Sequence, residues 1–155
     1  MKALETDPYG LLLHSLGSER ERGSGEWEAN SDNVYAFDAE CVEGDDTYQK
    51  AFTRLSVLSN GSFSEITGSV DRKKGRASVS FSFNGRRYDW ELEYDHDWFD
   101  IRSMDRVNEL LRRSGSAKLF HASSSGQEVV IVFADPKTVE RLNGLVAVPF
   151  LPEIF

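Results

Sequence analysis

Residues 76–94 read RASVSFSFNGRRYDWELEY, and apolar side chains alternate with polar ones on both sides of Asn84-Gly85. Asn-Gly is the favoured pair for a two-residue type I′ turn, because both positions need a positive φ. The turn fixes the register of a β-hairpin with these pairs: Phe83 with Arg86, Phe81 with Tyr88, Val79 with Trp90 and Ala77 with Leu92. These residues share one face, and a shift of one residue would expose Phe81 and Trp90 to water.

Helix start and stop signals lie on both sides of this hairpin. Four helices are predicted from a capping residue and a closing signal: from Asp7-Pro8 to Gly17, from Asp45 or Asp46 to Asn60-Gly61, from Asp100 to about Arg113, and from Asp135-Pro136 to Gly144. Apolar residues follow the 3.6-residue period most clearly in the second helix, at Tyr48, Ala51, Phe52, Leu55 and Leu58.

Further strands are predicted at Val34–Val42, at Phe63–Val70 and in a second hairpin from about Lys118 to Phe133. The predicted apolar face of the first strand carries Tyr35, Phe37, Ala39 and Cys41. Residues 129–133 are apolar on both faces, as in a strand covered on both sides. The order of elements predicts the α+β class, with a mostly antiparallel sheet and about four helices packed on it.

The chain length of 155 residues predicts a single domain over residues 1–155. Residues 17–33 are polar and glycine-rich, which predicts a surface loop without fixed structure at its tip. We interpret Trp27 in this loop as a plug on the core rather than an exposed contact. The apolar C-terminal tail, residues 145–155, is predicted to lie along the body as an extended strap, and the alternative is a patch presented to another chain.

Composition and charge exclude several classes of function. Lys and Arg number 18 against 26 Asp and Glu, so the net charge of −8 argues against a nucleic-acid or anionic-membrane surface. No stretch approaches the ~20 apolar residues of a membrane span, and the N-terminus lacks a secretory signal, so a cytoplasmic location is expected. Cys41 is the only cysteine, which excludes an internal disulfide. No phosphate-binding or dinucleotide motif occurs, and no cofactor is predicted.

The residues most suggestive of an enzyme are Asp95-His96-Asp97 with Asp100 close behind. Carboxylates and imidazole are ligands for divalent metals, so one alternative function is a small metal-dependent hydrolase. In an extended chain, however, Asp95 and Asp97 face away from His96. We therefore favour solvated acids in a strand-to-helix turn. Cys41 with a histidine base would be a nucleophile, but we interpret it as a small core residue and predict no catalytic residue.

The negative charge is concentrated in two parts of the chain. Eight acids and no Lys or Arg lie between Arg22 and Lys50, and six acids and again none lie between Arg87 and Arg102. In the hairpin register, Asp89, Glu91 and Glu93 form a row with a spacing of about 6.8 Å. The pattern predicts a basic protein partner, although a solvated sheet face is the other interpretation. The candidate partner-binding residues are Asp89, Glu91, Glu93, Asp95 and Asp97, followed by Asp38, Glu40, Glu43, Asp45 and Asp46.

The stretch Tyr88–Glu93, followed by Asp97–Asp100, a predicted helix and Gly126-Gln127 before an apolar strand, resembles small acidic α+β immunity proteins of bacterial polymorphic-toxin systems. The resemblance covers residues 76–144. It implies a non-enzymatic inhibitor that covers the active site of a cognate toxin, often a basic nuclease, in a one-to-one complex. We expect a monomer when unbound. The second alternative function is a structural adaptor that assembles through the tail at residues 145–155.

Overall fold

The structure is a computed structural model that describes residues 7–153. Its elements in chain order are α1 (Pro8–Gly17), β1 (Glu19–Glu21), β2 (Trp27–Ala29), β3 (Val34–Asp38), α2 (Thr47–Leu58), β4 (Phe63–Asp71), β5 (Arg76–Phe83), β6 (Arg86–Leu92), α3 (Ser103–Arg113), β7 (Leu119–Ser125), β8 (Glu128–Ala134) and α4 (Pro136–Asn143). The α+β class and the antiparallel pairing are confirmed.

Within residues 7–153 the strands form three sheets, with the orders β1-β2, β3-β8-β7 and β4-β5-β6. The described residues divide into two compact units, one containing residues 39–103 and the other containing residues 7–38 and 104–153. The first of these units contains α2 and the sheet β4-β5-β6, and the second contains the other helices and sheets.

In the unit of residues 39–103, the predicted register of the hairpin is confirmed: Ala77 pairs with Leu92, Val79 with Trp90, Phe81 with Tyr88 and Phe83 with Arg86. Asn84 and Gly85 have φ values of 49° and 74°, as a type I′ turn requires. The apolar face of the hairpin packs on α2, where the ring centroid of Phe52 lies 5.5 Å from that of Phe81. Aromatic packing therefore holds the helix on the sheet.

Helix α2 also follows its prediction. The five residues of its predicted apolar face are buried: Tyr48, Ala51, Phe52, Leu55 and Leu58. The helix is followed by Asn60-Gly61, and both residues adopt a positive φ. Asp46 holds the N-cap position without a side-chain capping bond, and its carboxylate contacts Lys50 at 2.9 Å instead.

The other unit is built on the sheet β3-β8-β7, which is buried on both faces as predicted for residues 129–133. On one face, Val34 and Val132 pack with Val139 of α4 and with Phe150. Helices α1 and α4 begin as predicted, because the Asp7 carboxylate accepts from Gly10 N and the Asp135 carboxylate accepts from Thr138 N.

Residues 145–153 of the tail form a strap on this unit, as predicted, and residues 154–155 lie outside the described part of the chain. Leu151 and Ala122 exchange two backbone hydrogen bonds of 2.9 Å, and the Phe150 side chain is buried in the core. The amide of Asn143 binds both backbone groups of Phe150 at 2.7 and 3.1 Å. Side-chain amides thus replace strand partners along a segment that its prolines keep irregular.

Two predictions for residues 17–33 are wrong. The segment is not an open loop, because β1 and β2 pair in a short hairpin whose turn contains Gly25 at φ 79°. Trp27 does not plug the core, since it is 66% exposed. It faces Glu21 on a ribbon of two strands, and a ribbon of that size has too little apolar surface to bury an indole.

The predicted strand at Val34–Val42 is shorter and has a different buried face. It ends at Asp38 and buries Val34 and Ala36, whereas Tyr35 and Phe37 are half-buried and stack with ring centroids 4.8 Å apart. Because both faces of this sheet are covered, the alternation of residues does not determine which face lies deeper.

One buried histidine makes the stability of the unit that contains the sheet β3-β8-β7 depend on pH. His121 is 5% exposed, and its Nδ1–H donates to the Leu119 carbonyl at 3.0 Å. Burial, assisted by the charge of Arg112, lowers the pKa of His121 below its usual 6.5. Below about pH 6.5, His121 binds a proton more readily in the unfolded chain than in the folded chain. The free energy of unfolding therefore falls as the pH falls.

We expect His121→Gln to lose less stability than the unsubstituted chain when the pH is lowered from about 7.5 to about 5.5. Urea unfolding at both pH values measures this difference. The control is His96→Gln, since His96 is exposed. An identical pH dependence in all three proteins would contradict the role of His121.

Candidate functional site

Two acidic segments that are far apart in the sequence lie side by side in the fold. The N–H of Val42 donates to the carbonyl of Asp97 at 2.8 Å, and the N–H of Phe99 donates to the carbonyl of Ala39 at 2.7 Å. These backbone bonds join the chain that enters α2 to the chain that leaves β6. The two acidic segments therefore form one surface instead of two.

We call this surface the acidic loop pair and define it as residues 39–46 and 94–100. It contains seven acids and no Lys or Arg: Glu40, Glu43, Asp45, Asp46, Asp95, Asp97 and Asp100. All of them except Asp100 are exposed. Six of the predicted partner-binding residues are thereby brought together, which gives the surface a strong negative potential.

One of the two acidic segments also contains an exposed tryptophan. Trp98 is 41% exposed. Its backbone N–H donates to the Asp95 carbonyl at 2.9 Å, which closes a tight turn. His96 in this turn has a φ of 51°, and its ring lies 5.8 Å from the ring of Tyr94. Tryptophan is among the residues that dominate the energetics of protein interfaces, so the turn combines an aromatic anchor with charge.

A buried tyrosine attaches the acidic loop pair to α2. The N–H of Asp100 donates to the hydroxyl of Tyr48 at 2.8 Å, and the Tyr48 ring stacks on Phe99 with centroids 4.7 Å apart. Burial raises the pKa of Tyr48 to about 12. Because Tyr48 begins the buried face of α2, the helix and the loops hold one another in place.

We expect Tyr48→Phe to lower the free energy of unfolding by about 1 kcal/mol, because the Asp100 N–H loses its partner. Alkaline titration of tyrosine absorbance gives a second measurement. The native chain should contain one phenol that ionises only near pH 12, and the variant should lack it. Tyr9→Phe, at an exposed position, is the control, and equal effects of the two substitutions would contradict the anchoring role.

Arg72 and Lys50 contact carboxylates of the acidic loop pair. Arg72 contacts the Asp97 carboxylate at 3.5 Å and donates to the Val42 carbonyl, so it bridges the two segments. A hydrogen bond from Lys50 lowers the pKa of Asp46. The seven acids outnumber these two cations, so the surface remains predominantly negative.

The predicted row on the hairpin is shorter than expected. Strand β6 ends at Leu92, so the row continues only through Asp89 and Glu91. Glu93 turns away to pair with Arg102, and its N–H donates to the Asp100 carboxylate at 2.9 Å.

Two further predictions concern the positions of Asp100 and Asp38. Asp100 does not cap α3, since that helix begins at Ser103 and the Asp100 carboxylate is used by Glu93. Asp38, the last predicted partner residue, is exposed at the end of β3 and belongs to the other unit.

The fold does not gather the ligands of the alternative metal site. Within residues 7–153, no three His, Cys, Asp or Glu side chains are placed to hold a metal ion. The left-handed conformation of His96 turns its ring toward Tyr94.

No helix in the described part of the chain is long and apolar enough to cross a membrane.

No family model, curated protein or solved structure matches this chain. The resemblance to immunity proteins therefore stays a prediction. What bears on function is the arrangement of the chain's own residues, above all the acidic loop pair.

The sequence pattern does not identify Trp98 or Tyr48 as parts of the site. The sequence does contain an indication that Trp98 is exposed. Trp98 lies between two aspartates in a turn, where a buried indole is difficult to place. Tyr48 fits the helical period of a core residue, and nothing in that period indicates that its hydroxyl binds a loop.

Proposed function

We propose that this chain is a non-enzymatic protein-binding module, an immunity-type inhibitor that neutralises a basic cognate toxin in the bacterial cytoplasm. The observation that carries the proposal is the acidic loop pair, whose two segments contain seven acids and the exposed Trp98. A field of carboxylates attracts a basic surface from a distance. The indole then supplies the contact that resists dissociation.

The acidic loop pair is also held ready for binding. Two backbone hydrogen bonds join its segments, and Tyr48 fixes its base. A surface that is ordered before contact loses little conformational entropy when it binds, which favours tight complexes. An enzyme that acts on nucleic acid needs a basic cleft for the phosphates, and a monomer of this chain would cover such a cleft in a one-to-one complex.

Charge reversal with a matched control tests the proposal. The loop variant is Glu43→Lys with Asp95→Lys, and the control is Glu19→Lys with Glu21→Lys, on the exposed strand β1. Both variants change the net charge of the chain by the same amount. We expect the loop variant to bind the partner at least about tenfold more weakly, because two attractive contacts become repulsive.

The measurement is a pull-down from lysate of the native host, washed at low and moderate salt, followed by titration of the captured protein. We expect the native chain and the control to retain one basic protein at near-equal stoichiometry. The loop variant should lose it first as salt rises. Equal retention by the loop variant and the control, with both folded by circular dichroism, would overturn the proposal.

A further inference from the structure

The two edges of the sheet β4-β5-β6 differ in regularity. Strand β4 at one edge has a bulge between Ser64 and Thr67, where Glu65 has a φ of 50°. Strand β6 at the other edge pairs with β5 at seven consecutive positions without a break. Bulges are one means by which proteins prevent further pairing at an edge. The β6 edge lacks that interruption.

The turn geometry shows which backbone groups of β6 point outward. In a two-residue hairpin the residues next to the turn, Phe83 and Arg86, exchange hydrogen bonds, and every second pair after them does the same. Arg87 and Asp89 lie between these pairs, so their N–H and C=O groups point away from β5. No strand in the described part of the chain follows β6 in the sheet, and the Asp89 side chain is 75% exposed.

We propose that the β6 edge accepts an extended basic strand of a partner protein, which joins the sheet by β-augmentation. Asp89 and Glu91 project from the outer face beside this edge together with Arg87, which lies 3.7 Å from the Asp89 carboxylate, so acids outnumber bases on this face of β6. A partner strand with Lys or Arg opposite Asp89 and Glu91 would place opposite charges in cross-strand pairs on that face.

The inner face of the edge specifies the alternate positions of the incoming strand. Tyr88 and Trp90 are half-buried there, with their rings 5.5 and 4.8 Å from the ring of Phe81. Apolar side chains on the added strand would cover the parts of these rings that still face water. The edge therefore fits a strand in which basic and apolar residues alternate. This inference rests on the basic partner of the proposed function and assigns it a mode of binding.

The test uses the full chain and a capped peptide of four Lys-Val repeats. A second peptide carries N-methyl groups on the alternate amides that would face β6, and so retains its charge but loses those donors. We expect saturable binding of the first peptide by calorimetry and binding at least about tenfold weaker for the second. Amide hydrogen exchange at Arg87 and Asp89 should slow when the first peptide binds.

Variants of Asp89 separate backbone pairing from charge. Asp89→Pro removes the outward N–H and should weaken peptide binding at least about tenfold, whereas Asp89→Asn keeps the N–H and should weaken it less. Equal binding of the two peptides, unchanged exchange at Asp89, or no binding of the Lys-Val peptide would each overturn the proposal.

The outcome stays separate from that of the proposed function. If the loop variant loses the captured partner and Asp89→Pro retains it at native affinity, the edge proposal fails and the inhibitor function stands. If both variants retain the partner as the native chain does, the proposed function fails as well.

Discussion

Gly68→Ala is expected to lower the free energy of unfolding by about 2–4 kcal/mol. A Cβ at Gly68 would lie 2.6 Å from the backbone N of Gln49 and 3.2 Å from the carbonyl carbon of Tyr48. These atoms belong to the first turn of α2, so no flexible side chain is available to move aside. The helix itself must shift from β4, which disturbs the close packing beneath it.

The same shift should reach the acidic loop pair. Tyr48 lies in the displaced turn and binds the Asp100 N–H. We therefore expect Gly68→Ala to weaken the capture of a basic partner even under conditions where the chain stays folded. This would link the packing of a sheet glycine to binding at a surface it does not contact.

Urea unfolding measures the change in stability, and Gly23→Ala is the matched control. A Cβ at Gly23 meets no atom within 4 Å, so its effect should stay within about 0.5 kcal/mol. An unfolding midpoint for Gly68→Ala equal to that of Gly23→Ala would show that the approach of α2 to β4 is not as close as described.

The features predicted correctly from the sequence share a physical origin. The hairpin of β5 and β6 follows from one turn and two alternations that must agree, and α2 follows from a period over twelve residues between capping and closing signals. Both are local. The pairing of β3 with β8 joins residues about a hundred positions apart, and no local pattern specifies such a partner. The division of the strands into three sheets was unpredictable for the same reason.

The candidate site also combines features that the sequence predicts with features that it does not. Its acids could be listed from charge alone, but their assembly depends on backbone bonds such as that from Val42 N to Asp97 O. Backbone groups occur in every residue, so these bonds leave no mark in the sequence. The predicted position of Glu93 is wrong because it extends the hairpin register beyond Leu92, where the strand ends. The register itself was correct.

Asn108→Leu should destabilise the chain by about 3 kcal/mol or more. Asn108 in α3 is 1% exposed. Its Nδ2 donates to the carbonyls of Phe120 and Pro152, both at 2.8 Å, and its Oδ1 accepts from Phe120 N at 2.9 Å. Leucine has nearly the same shape, so the cavity term is small. The loss comes from backbone groups that are buried without their partners.

Asn143→Leu provides the graded comparison for this prediction. Asn143 also binds backbone groups of the tail, but it is only half-buried, so water can replace it at lower cost. We expect its effect on urea unfolding to be smaller than that of Asn108→Leu. Chymotrypsin should cut after Phe150 sooner in both variants than in the native chain, because each releases part of the strap. If Asn108→Leu proves no more destabilising than Asn143→Leu, burial of the amide is not what makes this contact strong.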